Sequence, residues 1–422
     1  WAKMKSLLLL TIRTIACPDS CVCTKNRRRV LCSGVASVSD EIPANTQELI
    51  FKGSRLGTLV SGTFENLPTL ATLVLSNNKI TEIERGAFRG LGYTRLTDLD
   101  LSNNRISNVA SFSNLPRLET LNLSNNKLET LPDDCVCSES LLHINCNGQQ
   151  LRSVPHRLPA TTSLLDLRTL HLQYNGMTRI DASAFAGLRS LIYLYLSNNR
   201  IDDIDKDSFS DLENLSYLFL DHNRIGFLPS GIFRPLVSIY SVYIRHNMLN
   251  ELNGNTMQGL QRVRWLYFSQ NRIIRVANNT FAECKGLQKL VLNGNQLTSL
   301  PQGLLHGQRI LNHFDISKNY IEVVPDGIFS GTMLLETLNM TDNQIHTIGQ
   351  GALENLERLR VLDLSKNELT TLVGLPTTIN NALFSNNPWQ CTCDIVQLHK
   401  WCRARQLTVS GVICEAPATL KG

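Results

Sequence analysis

LIYLYLSNNRI, residues 191–201, alternates aliphatic and aromatic side chains and then turns on asparagine before a further aliphatic residue. A strand sends alternate side chains to opposite faces. If Leu194 and Leu196 face a core, with Leu191 and Ile201 flanking them, Tyr193 and Tyr195 face away from it. The stretch recurs. Its asparagine falls at Asn175, Asn199, Asn223, Asn247, Asn271, Asn295, Asn319, Asn343 and Asn367, every step being 24 residues. Earlier copies stand at Asn78, Asn104 and Asn126, with steps of 26 and 22. A ladder of this regularity is not accidental.

The pattern L-x-x-L-x-L-x-x-N-x-L is that of a leucine-rich repeat. In LSYLFLDHNRI, Leu215, Leu218, Leu220 and Ile225 point inward and pack on the next repeat. One repeat alone cannot bury them; a stack can. The Asn223 amide both donates and accepts, so it can satisfy backbone groups that the inward turn would strand. Phe88, Phe185, Phe209, Phe233, Phe281 and Phe329 close the outer side. The predicted fold is α/β: a leucine-rich repeat solenoid, a right-handed horseshoe with a concave parallel sheet and disulfide-stapled caps at both ends.

Of 422 residues, 42% are hydrophobic and 18% charged, which excludes a disordered chain. A net charge of +5 is too weak and dispersed to argue for nucleic acid. Twelve cysteines, mostly in tight clusters, favour disulfides and an oxidising compartment. Residues 4–16 read as a signal peptide cleaved after Ala16, with Trp1–Lys3 as upstream read-through. No apolar run of about 18 residues occurs, so no membrane span is expected.

The cysteines divide the chain further. Residues 17–45 hold Cys17, Cys21, Cys23 and Cys32 and read as an N-terminal cap. We expect Cys17–Cys23 and Cys21–Cys32 bridges, although spacing does not fix connectivity. A short array over 46–133 follows. Residues 134–165 form a second cap-like segment with Cys135, Cys137 and Cys146, in which Leu131 replaces the expected first cysteine. A Cys135–Cys146 bridge is expected there, and an irregular loop within one solenoid is the alternative. The main array covers 166–385; near residue 168 LLDL runs directly into RTLHLQYN, two strand motifs with almost no connection, which leaves open whether a repeat is missing there. Residues 386–422 read as a truncated C-terminal cap in which Cys391 pairs with Cys414, and Cys393 and Cys402 have no assigned partner. Cys284 reads as a buried apolar thiol. With no C-x-x-C, a metal site is not expected. No P-loop, H-E-x-x-H or G-x-S-x-G occurs either, so neither cofactor nor enzymatic activity is expected.

The outward strand positions of four successive repeats are Tyr193, Tyr195 and Ser197; Tyr217, Phe219 and Asp221; Ser241, Tyr243 and Arg245; and Trp265, Tyr267 and Ser269. At about 4.8 Å between strands, the aromatics form a patch roughly 15 Å across. They either stiffen the sheet by cross-strand contact or form a binding site, since contiguous apolar surface and Tyr/Trp anchors mark interfaces. Asp221, His222, Arg245 and His246 form its polar rim. Beyond it the face becomes polar, with Lys289, Asn293, His313, Asp315 and Ser317.

GLRSLIYLYLSNNRI, LSYLFLDHNRI and RVRWLYFSQNRI, with NNPWQCTC, LHKW and CEAPATLKG, resemble the chondroadherin and chondroadherin-like family over residues 134–422. The resemblance implies a secreted matrix protein that mediates adhesion without catalysis, binding fibrillar collagen and an integrin-type receptor. Within 394–407, a predicted short helix, His399, Lys400, Arg403 and Arg405 lie outward and are candidates for receptor or glycosaminoglycan contact. Asn122, Asn214, Asn278 and Asn339 head glycosylation sequons, Asn278 being the favoured acceptor. The rival reading is the ectodomain of a membrane-anchored recognition receptor, immune or neuronal.

Overall fold

The computed structural model describes residues 17–109, 112, 115–128, 142–154, 166–390, 395–404 and 412. Residues 1–16, which include the expected signal peptide, and Cys135, Cys137, Cys391, Cys393, Arg405 and Cys414 lie outside the described residues. The chain forms two compact units: residues up to Gly176 with Ala186–Leu191, and Met177–Phe185 with Ile192 onward.

The first unit opens with an antiparallel hairpin, Cys21–Thr24 on Arg29–Ser33, in which Cys21 faces Cys32. Both expected bridges are present, Cys17–Cys23 and Cys21–Cys32. Arg29–Ser33 then pairs in parallel with Glu48–Lys52. The parallel ladder continues through Thr72–Val74, Asp98–Asp100, Thr120–Asn122, His143–Asn145 and Thr169–His171. The second cap-like segment thus supplies a strand that is paired on both sides. Cys146 is buried beside it.

In the second unit the strands Tyr193–Tyr195, Tyr217–Phe219, Ser241–Tyr243, Trp265–Tyr267, Lys289–Val291 and His313–Asp315 pair in parallel at 24-residue steps. Thr337–Asn339, Val361–Asp363 and Asn381–Leu383 extend them. The central residue of each strand faces inward: Leu194, Leu218, Val242, Leu266, Leu290 and Phe314 are fully buried. Each such side chain contributes roughly 1.5–3 kcal/mol of burial.

The asparagine ladder closes each turn. The Asn247 Nδ2 donates to Leu220 O at 2.9 Å and to Arg245 O at 3.2 Å, while its Oδ1 accepts the Ile225 N–H at 3.0 Å. One amide therefore ties two repeats together. Gln149 takes the same place in the first unit, its Oε1 accepting the Leu128 N–H at 3.0 Å and its Nε2 donating to Leu123 O. Phenylalanines stack behind the ladder, Phe64 on Phe88 at 6.0 Å and Phe185 on Phe209 at 6.1 Å.

The outer side is built from successive turns and two-residue strands. In one repeat Ile232, Arg234, Leu236 and Ile239 each donate an N–H to the carbonyl three residues earlier, so no continuous helix forms. The α-helix among the described residues is Ile395–Ala404 at the distal cap. Leu398 is its buried residue. Trp401 anchors it, the indole N–H donating to Pro376 O at 3.1 Å and the ring lying 6.4 Å from Phe384. Among the described residues no helix is long and apolar enough to cross a membrane.

Candidate binding face of the second unit

The seven aromatics expected to point outward do so, and each is half-buried. Their rings stack on one another. Tyr195 lies on Phe219 at 4.5 Å, Phe219 on Tyr243 at 4.7 Å, and Tyr243 on Tyr267 at 4.7 Å, with interplanar angles of 2°, 11° and 7°. A strand spacing of about 4.8 Å falls at the near end of the offset-stacking range, so in-register rings on neighbouring strands stack into a column. The second column starts with Tyr193 on Tyr217 at 4.8 Å. The next strand offers only Ser241, which is buried, and the column is completed from outside the strand. Tyr240 reaches in, 5.6 Å from Tyr217 and edge-on to Trp265 at 5.0 Å.

The stacked columns present ring edges and phenolic hydroxyls, with the ring faces turned toward each other. The hydroxyls of Tyr193, Tyr217, Tyr243 and Tyr267 make no hydrogen bond among the described residues. Burial raises the phenol pKa of Tyr195, Tyr217 and Tyr267, and neighbouring phenols add to the shift. These groups are neutral donors near pH 7.

The rim carries charge. Asp221 is buried, and its carboxylate holds Arg245 just past the next strand. The hydrogen bond that the guanidinium donates to Asp221 is the main cause that pushes Arg245 further up from its ordinary value. The Lys289 ammonium lies 5.6 Å from the centre of the Tyr267 ring. His222 and His246 both have positive φ and stack at 4.2 Å beside the columns. Burial, and then His222, lower the His246 pKa.

The other candidates lie apart. On the distal helix His399, Lys400 and Arg403 are exposed, and Cys402 is a free thiol. Cys284 is buried and its thiol is pushed up to about 12, chiefly by desolvation, as expected of an inert core cysteine. Asn214 and Asn278 are exposed. Asn122 and Asn339 are half-buried on the sheet face, and each Oδ1 accepts an N–H from within its own sequon, Ser124 and Thr341, at 3.1 Å.

Sequence models described as "Leucine rich repeat" match residues 44–106, 166–225, 219–273, 237–297, 285–345 and 333–375, and "Leucine Rich repeats (2 copies)" matches 94–134. The chain belongs to the leucine-rich repeat family. This leucine-rich repeat protein is 35% identical over 108 residues to Chondroadherin-like protein of Mus musculus, which is 24% of this chain and 14% of that protein. It is 36% identical over 102 residues to Reticulon-4 receptor-like 2 of Rattus norvegicus, 24% of this chain and 23% of that protein. The similarity expected over residues 134–422 is therefore narrower, and it does not single out one family of matrix proteins. A leucine-rich repeat protein of Leptospira interrogans has the same fold, with a TM-score of 0.71 at 24% identity over 89% of this chain and 92% of that one.

Proposed function

We propose that this is an extracellular, non-catalytic adhesion protein whose aromatic sheet face binds a rod-like protein ligand of the fibrillar collagen class. The observation that carries the reading is the pair of ring columns, in which the hydroxyls of Tyr193, Tyr217, Tyr243 and Tyr267 make no hydrogen bond among the described residues. Polyproline-type chains have no internal hydrogen bonds and expose their carbonyls. Tyrosine hydroxyls can donate to those carbonyls while ring edges pack on proline. The N-terminal disulfides support an oxidising, extracellular setting. The exposed cations of the distal helix are the proposed contact for an integrin-type receptor.

Replacing Tyr195, Tyr217, Tyr243 and Trp265 by serine tests the reading on protein that still melts cooperatively. Anchors of this type are worth about 2 kcal/mol or more each when a partner buries them. Affinity for immobilised fibrillar collagen is expected to fall at least 100-fold. An unchanged affinity removes the face from consideration. The match to Reticulon-4 receptor-like 2 favours a second reading, a receptor ectodomain that uses the same face for a different protein ligand.

A further inference from the structure

We propose that the outer flank of the second unit is a docking row for a linear sulfated polysaccharide. Four consecutive repeats contribute one cation each: Arg234, Arg262, Lys285 and Arg309. All four are exposed. None of them is in an ion pair. Arg234 and Arg262 line a groove of about 620 Å³ together with Gln258, Gln261 and Glu283. Glu283, the carboxylate in that lining, accepts the Gly259 N–H at 3.0 Å, so it is held to the backbone.

Glycines let successive turns of the row pack closely. Gly259, at φ +89°, approaches so closely that a Cβ there would sit 2.6 Å from Arg234 Cα. A Cβ on Gly286 would meet Val263 O at 3.0 Å, and one on Gly307 would lie 3.3 Å from the Lys285 Nζ. Lys285 thus reaches over Gly307 toward the repeat that carries Arg309.

A compact anion needs donors that converge on one point, whereas these cations are spread one per repeat along the stack. That arrangement fits a chain of anionic groups. Arginine matches the oxygen geometry of sulfate, and lysine adds a point charge. Single-stranded nucleic acid is disfavoured because its binding relies on aromatic platforms, and Val237 is the exposed apolar residue of the groove lining. The row is separate from the ring columns, so it stands or falls independently of them.

The test is salt elution from immobilised heparin. The variant R234Q/R262Q/K285Q/R309Q is expected to elute at clearly lower salt than the parent while melting at the same temperature. The slope of log K against log salt is expected to drop by roughly 3, near one counterion per cation removed. The distal-helix variant H399Q/K400Q/R403Q is expected to elute with the parent. If the four-residue variant does not fold, R262E/K285E is read the same way. Unchanged elution of the flank variants overturns the proposal. So does loss of retention through the helix variant alone, equal competition by desulfated heparin, or stronger competition by single-stranded DNA.

Discussion

Asp221 grips Arg245 of the next repeat at three points. Its Oδ2 meets Nη2 at 2.8 Å, and its Oδ1 accepts Nε–H at 3.2 Å and the Arg245 backbone N–H at 2.7 Å. The guanidinium carbon then lies 5.3 Å from the centre of the Tyr243 ring and 5.7 Å from that of Tyr267. The Asp221 side chain is buried while that of Arg245 is 43% exposed, so the pair is a fixed base with a partly solvent-facing tip. Asp221→Ala is expected to cost about 2 kcal/mol, since it strands the Arg245 N–H and frees the guanidinium. Chemical denaturation of variant and parent measures this. A loss below about 0.5 kcal/mol would show that the pair contributes no more than an exposed one.

Asn247→Ala removes a buried amide that serves two repeats. The Ile225 N–H is left unpaired, while the Leu220 carbonyl keeps its bond from the Asn223 Nδ2 at 3.0 Å, so a loss of about 2 kcal/mol is expected. Hydrogen exchange at the Ile225 amide reports it locally. That amide is expected to exchange faster by at least tenfold.

Tyr240→Ala empties the place in the ring column that Ser241 cannot fill. Aromatic pairs add roughly 0.5–1.5 kcal/mol beyond their area, and Tyr240 makes two such contacts. A stability loss of about 1 kcal/mol and about tenfold weaker collagen binding are expected. A Tyr240→Phe variant should restore stability, because ring packing and not the hydroxyl does this job.

Acid should weaken both units. Burial is the first cause of lowered pKa values at His171, His246 and His313. The unfolded chain takes up these protons first as pH falls. The stability that neutral imidazole provides is therefore present above the ordinary histidine value of 6.5 and is lost as pH drops through the lower folded values. Melting temperature should decline from pH 7 to 5, and His171→Gln together with His313→Gln should flatten the decline.

Alkali acts in the same direction through the phenols. The raised pKa values of Tyr195, Tyr217 and Tyr267 mean that the unfolded chain releases these protons first, so stability falls as pH rises above 10.0 toward the folded values. Spectrophotometric titration should show these phenolates appearing last. Their early appearance in native protein would contradict the stacked arrangement.

The fold was legible because its signals are periodic. Asparagines at 24-residue steps named the inward positions, and strand alternation then named the outward ones. What escaped lies off that period. Tyr240 stands one residue before its strand, so alternation does not count it, and only the smallness of Ser241 hints that something covers the site. Gln149 does an asparagine's work from a side chain one methylene longer. Asn387 comes 20 residues after Asn367, yet its Oδ1 accepts the Leu369 N–H at 3.0 Å like the other rungs. The mutual stacking of the rings depends on rotamers, which a face assignment cannot supply, and it changed the offered surface from flat rings to edges and hydroxyls.

The ring columns also bear on how a long ligand would find its place. One rung looks much like the next, so a fibre that felt only the rings could slide by single steps with little change in energy. Arg245, clamped at one rung, breaks that translational sameness, and it is the residue that would set where along the track such a fibre comes to rest.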